Sequence, residues 1–231
     1  MYKKIKLLTQ LFIAAKTGDV ETVKALAKQN IPLDIRQPKT GFSPFLIAVG
    51  LGKVEVAACL VEHGVDVNEV TPRGTTALML AAAQGHISMV NWLLNNGADV
   101  SLQNESHANV LSYALQLFEG SERVLNDIVK FLLAHNADME NVEDELGFTP
   151  LMFAAQKGYF SIVKLLVAHG AKINVSSVGP AKSLKQAEVS PTGNAEEIPF
   201  QLITVSVPET PLTLAKTPEI RTYLKKHGAK E

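Results

Sequence analysis

FTPLMFAAQKGYFSIVKLLVAHGAKIN, residues 148–174, reads as two short helices and the turns that close them. Thr149 precedes Pro150: a hydroxyl there can accept from orphan N–H groups, and proline is tolerated at the first helical position. Ala154 and Ala155 are small enough for the first helix to lie close against a neighbour. Gly170 comes sixteen residues after Ala154 and suits the left-handed geometry that ends a second helix. FSPFLIAVGLGKVEVAACLVEHGVDVN (42–68) and TTALMLAAAQGHISMVNWLLNNGADVS (75–101) align with it, with Ala48/Gly64 and Ala81/Gly97 at the same sixteen-residue spacing. Ser43, Thr76 and Asn109 follow one another at intervals of 33 residues, and Thr149 comes 40 after Asn109. Second helices carry bulkier residues at helical spacing, such as Met89, Val90, Leu93 and Leu94.

A helix–turn–helix unit recurring at this period resembles the ankyrin repeat, whose pattern includes T-P-L-H-x-A. Thr149-Pro150-Leu151, Ala154-Ala155, Gly170-Ala171 and Gly97 to Val100 carry the likeness, which covers about 190 of the 231 residues. The resemblance implies an all-α solenoid with short β-hairpin loops, built from about six repeats, in which each unit is stabilised mainly by the next. The repeats are expected at about 5–36, 37–69, 70–102, 103–142, 143–175 and 208–231 of a single domain. The family's His after Thr-Pro-Leu is replaced by Leu46, Met79, Ser112, Met152 and Thr213, so stacking is expected to lean on apolar contact. Two insertions break the period. FEGSERVLND (118–127) is expected to lengthen the link between two helices, and 176–207 follows the fifth unit as a long loop or extended hairpin. Within it, FQLITVSV (200–207) alternates in strand fashion and is expected either to pair with KINVSSV (172–178) or to belong to a disordered loop.

The first fifteen residues, MYKKIKLLTQLFIAA, can be read as a secretory signal, with Lys3, Lys4 and Lys6 before an apolar run. IAAKTGDVETVKALAKQN (13–30) nevertheless has the same Ala-Ala-x-x-Gly and the same sixteen-residue spacing, from Ala14 to Asn30. Thr9 and Gln10 interrupt the apolar run. A first helix of the fold is therefore expected, its lysines facing solvent as a terminal repeat requires.

The chain is 46% hydrophobic and 19% charged, with 22 basic against 23 acidic side chains, so no basic excess points to nucleic acid. Cys59 is the only cysteine, which rules out an internal disulfide and a Cys-based zinc site. No apolar run reaches the roughly 18 residues of a membrane span. Neither a phosphate-cradling Gly-rich loop nor a G-x-S-x-G elbow is present. His63, His135, His169 and His227 fall at equivalent places in stacked units, too far apart to share one metal. No enzymatic activity and no cofactor are expected.

What the resemblance implies instead is a concave surface that holds another protein. Carried over by alignment, its hairpin residues are Lys39, Thr40 and Phe42, then Pro72, Arg73 and Thr75, then Glu105, Ser106 and Ala108, then Glu145, Leu146 and Phe148. From the ends of first helices come Gly50 with Leu51, Ala83 with Gln84, Gln116 with Leu117, and Gln156 with Lys157. Large apolar side chains at nominally exposed places, such as Phe42, Leu51, Leu117, Leu146 and Phe148, suggest a protein interface or packing against a neighbouring hairpin. The expectation is a cytoplasmic monomer acting as adaptor, scaffold or inhibitor, with no nucleic-acid or membrane partner. A bacterial effector or immunity protein, released into a host cell without a cleaved signal, would use the same binding. A different class of role is that of an asparaginyl hydroxylase substrate, modified at Asn68.

Overall fold

The computed structural model describes residues 2–29, 31–141, 147–177, 182–183, 204–205 and 209–230. The helices among them follow one another as pairs. These are α1 (Tyr2–Thr17) with α2 (Val20–Ala27), α3 (Pro44–Gly50) with α4 (Val54–Glu62), and α5 (Ala77–Ala83) with α6 (Ile87–Asn95). Then come α7 (Val110–Leu117) with α8 (Glu122–Ala134), α9 (Pro150–Lys157) with α10 (Phe160–Ala168), and α11 (Pro211–Leu214) with α12 (Pro218–Lys226). An antiparallel ladder joins β1 (Lys182–Ser183) to β2 (Thr204–Val205), with Ser183 opposite Thr204.

Each first helix after α1 begins on a side chain that caps it. Ser43, Thr76, Asn109, Thr149 and Thr210 all accept from the backbone N–H three residues on, satisfying a donor that has no partner inside the helix. Four of the second helices, α4, α8, α10 and α12, end on a histidine. The Nδ1 atoms of His63, His135, His169 and His227 lie 2.7, 2.9, 2.8 and 2.8 Å from the carbonyl oxygens of Cys59, Phe131, Leu165 and Tyr223. A carbonyl can only accept, so Nδ1 carries the hydrogen and donates to a carbonyl left over at the helix end. Asn136, standing where sibling units have glycine, takes φ +61°, a conformation asparagine tolerates.

First helices pack on first helices and second on second, and contact is closer along the first row at every step. The reason lies in side-chain size. Ala14, Ala15, Ala48, Ala81, Ala82, Ala114, Ala154 and Ala155 are all buried in the first row, whereas Val56, Leu60, Met89, Leu93, Ile128 and Leu132 fill the second. One hydrophobic cluster runs unbroken from Leu11 to Leu224. Leu11, Ala14 and Ala15 belong to it, and α1 packs on α2 and α3, so the opening apolar run is a helix of the fold.

Side-chain hydrogen bonds also couple the units, so stacking is not apolar alone. Asn68 Oδ1 accepts from Asp99 N (2.8 Å), Glu140 Oε1 from Lys172 N (2.8 Å) and Asn174 Oδ1 from Lys230 N (2.9 Å), each four residues past the turn that ends a second helix. His86 Nε2 lies 3.0 Å from the Gly50 carbonyl and donates to it.

Two expectations are corrected. Residues 118–127 do not chiefly lengthen a link: 118–121 join α7 to α8, and the remainder extends α8 to 13 residues against nine in α4, α6 and α10. Leu125, Ile128 and Val129 fall on one side of the helix and are buried, which favours helix over loop. Thr204–Val205 pairs with Lys182–Ser183 rather than with 172–178. Most of the expected ladder falls outside the described residues, and the 172–177 stretch is already committed elsewhere. Asn174 bonds to Gly228 and Lys230, while Ser177 N donates to Glu209 O (2.8 Å) and Glu209 N to Ser177 Oγ (3.0 Å). That clamp brings the two ends of the insertion together, and α11 packs on α9.

Candidate protein-binding surface

The chain between successive helix pairs rises into hairpin tips, and those tips are pinned to one another. Arg36 donates through Nη1 to the carbonyls of Gly41 (2.9 Å) and Val70 (2.8 Å), and its Nη2 pairs with Glu69 Oε1 at 3.0 Å. Ser43 Oγ donates to the other oxygen of Glu69 at 2.7 Å. Gly41 adopts φ +69°, and a Cβ there would fall 2.2 Å from Pro72 Cγ, so the second tip nests directly on the first. Glu105 N donates to the Arg73 carbonyl (3.1 Å) and ties the third tip to the second.

Burial holds the Glu69 carboxyl above its ordinary value, although the Ser43 hydrogen bond and the Arg36 guanidinium both pull it down. The folded chain therefore binds this proton more readily than the unfolded chain. The group's contribution favours folding at low pH and is lost as pH rises through the raised value. Glu69→Gln keeps an acceptor for Ser43 and removes the titration. Urea midpoints of the wild type are expected to fall relative to those of the variant as pH rises out of the carboxylate range. A gap moving the other way would make the Arg36 pair the dominant influence.

Lys39, Thr40, Pro72, Arg73, Gln84, Glu105, Ser106 and Lys157 are exposed, and Leu51 and Leu117 remain 45% and 47% accessible. Phe42 is half-buried and packs on the core. Three residues expected at the surface do not lie there: Ala108 is only 1% exposed, and Thr75 and Phe148 are buried as well. The Thr75 N–H donates to Thr71 Oγ1 (3.1 Å), and the Phe148 ring lies edge-on to Phe153, centroids 5.4 Å apart. All three are turned inward because the hairpin base, unlike its tip, is covered by the adjoining unit. Glu145 and Leu146 lie outside the described residues.

What sequence reasoning missed is a row of apolar side chains one residue before the shared alanine: Ile13, Ile47, Leu80 and Tyr113. Ile13 is 56% exposed, and the other three are half-buried. Their equal register was the available signal. Asn68 lies on the same side as the linking bonds, with its amide shared between Asp99 N and the Gly97 carbonyl (3.4 Å).

Among the described residues no group of three or more His, Cys, Asp or Glu is arranged to hold a metal, and no helix is long and apolar enough to cross a membrane. The sequence matches ankyrin repeats, in three copies, over residues 11–104 and 103–177. An ankyrin repeat protein of fowlpox virus (strain NVSL) is 27% identical over 172 residues, which are 72% of this chain and 49% of its own. An ankyrin repeat and KH domain-containing protein of Caenorhabditis briggsae is 35% identical over 163 residues, 70% of this chain but 6% of its own. A Saccharomyces cerevisiae protein named as a 26S proteasome regulatory subunit is 28% identical over 158 residues, 67% of either chain. The chain thus spans half or less of the length of the first two relatives.

Proposed function

We propose that this chain, which belongs to the ankyrin-repeat family, holds another protein noncovalently on the surface formed by its hairpin tips and first helices. It does so as an adaptor, a scaffold or an occluding inhibitor, without catalysis. One observation carries this reading. Ile5, Ile13, Leu51 and Leu117 are the exposed large hydrophobic residues of the described chain, and all four lie on or at the end of a first helix. Large apolar side chains left open on one side of a stack are what a partner can cover. The second helices carry none of this kind among the described residues. The yeast relative's name, a regulatory subunit of a larger assembly, supports a role exercised through association.

The test is affinity purification from the native cell, comparing wild type with Leu51→Asp/Leu117→Asp. Both side chains are nearly half open, so the double variant is expected to melt close to the wild type. Its partner is expected to be lost at least about tenfold, the scale of an interface anchor. Equal recovery of the same partners by both forms would remove this surface from the binding role.

A further inference from the structure

We propose that the N-terminal end of this surface takes a peptide segment of the partner in which large apolar side chains are flanked by aspartate or glutamate. The inference rests on the binding role above and names the chemistry of what is bound. Between α1, residues 35–38 and α3 lies a groove of about 480 Å³. Phe12, Ile13, Ile35, Pro38 and Ile47 form much of its wall, with Lys16 beside them. Ile5 stands two turns before Phe12 on the same side of α1 and continues the apolar face beyond the groove.

Charge decides the occupant. No first helix carries an aspartate or glutamate: α1 contributes Lys6 and Lys16, and α9 contributes Lys157. Lys6 lies two turns before Ile13 on the same side of α1, so cations stand on two sides of that exposed isoleucine. Arg36 also lines the groove but is already paired with Glu69. Lys6 and Lys16 have neither a hydrogen bond nor an ion pair within the described chain. The acids face a neighbouring hollow: Asp34, Asp66 and Glu69 line a space of about 850 Å³ with Ile31, Leu33 and His63, and Arg36 stands between it and the groove. An apolar wall with the unpaired Lys16 ammonium group among its lining residues, Lys6 further along the same helix and no lining carboxylate is complementary to an acidic amphipathic segment and repels a basic one.

The probe is a phage-displayed library of random peptides, about twelve residues each, selected on the full chain. Enriched clones are expected to pair two or more large apolar residues with adjacent Asp or Glu. Their binding should weaken as salt rises from about 50 to about 300 mM, where screening shortens the reach of Lys6 and Lys16. Ile13→Asp, at an open position, is expected to cost about tenfold or more in affinity with an unchanged melting curve, and Lys16→Glu several-fold. No enrichment, clones without acidic excess, or clones that bind Ile13→Asp as tightly as wild type would each overturn the proposal. Clones indifferent to Ile13→Asp yet lost on Leu51→Asp/Leu117→Asp would sink the groove and leave the broader surface standing. Clones indifferent to all of these substitutions would sink both. Sedimentation of the wild type as a dimer that Ile13→Asp dissociates would mean that a second copy fills the groove, which also overturns the proposal.

Discussion

Phe148→Ala is expected to destabilise the chain by about 3–5 kcal/mol, the usual cost of removing a buried phenylalanine. The ring is 4% exposed and meets Phe153 edge-on, so truncation leaves a void beneath the fifth unit and removes an aromatic pair. Phe148→Asp should cost more, because it also brings a charge into a space with no partner for it. A domain of this kind is stable by only about 5–15 kcal/mol in all, so either change takes a large share of the total. In a stack where each unit rests on the next, the loss should be felt first in α9 and its neighbours. Urea titration followed by circular dichroism reads the effect. A loss for Phe148→Ala below about 1 kcal/mol would mean that the ring is not packed as described. The same result bears on function: a weak pull-down by a Phe148 variant would report unfolding and not a lost contact.

Asn109→Ala is expected to cost about 2–4 kcal/mol, combining a lost cap with an unpaired carbonyl. Asn109 is 2% exposed, and its amide works in two directions. Oδ1 accepts from Ser112 N at 3.0 Å and starts α7, while Nδ2 donates to the Asp138 carbonyl at 2.7 Å, beyond the turn that ends α8. Asn109→Asp separates the two roles. A carboxylate still caps α7 but sets an acceptor against the Asp138 carbonyl, so this variant should be no more stable than the alanine one. Near-wild-type urea midpoints for Asn109→Asp would show that capping alone matters and that the bond from the start of the first helix to the chain beyond the second contributes little.

Much of the fold was legible because its causes are local. A hydroxyl or amide before a helix, a proline at its first position and a left-handed residue at its end act within a few residues, so Ser43, Thr76, Asn109, Thr149 and Thr210 could be read as helix starts. The 118–127 insertion was misjudged because its length signals a break, whereas Leu125, Ile128 and Val129 carry a helical period that a neighbouring helix can cover. Of the surface residues, Lys39, Thr40, Pro72, Arg73, Glu105 and Ser106 at tips and Leu51, Gln84, Leu117 and Lys157 at helix ends are open, while Thr75, Ala108 and Phe148 at hairpin bases are not.

The sequence alone determined the repeating helix pairs, their period and the alanines that let the first row pack closely, since spacing and side-chain size are properties of the chain itself. Only the tertiary structure decided which equivalent positions stay open. Ile13 and Phe153 share one register, yet the first is 56% exposed and the second 2%. Register fixes the direction in which a side chain leaves its helix, but exposure depends on what the adjoining unit places over it. For Phe153 that cover includes the Phe148 ring, while Ile13 opens onto a groove.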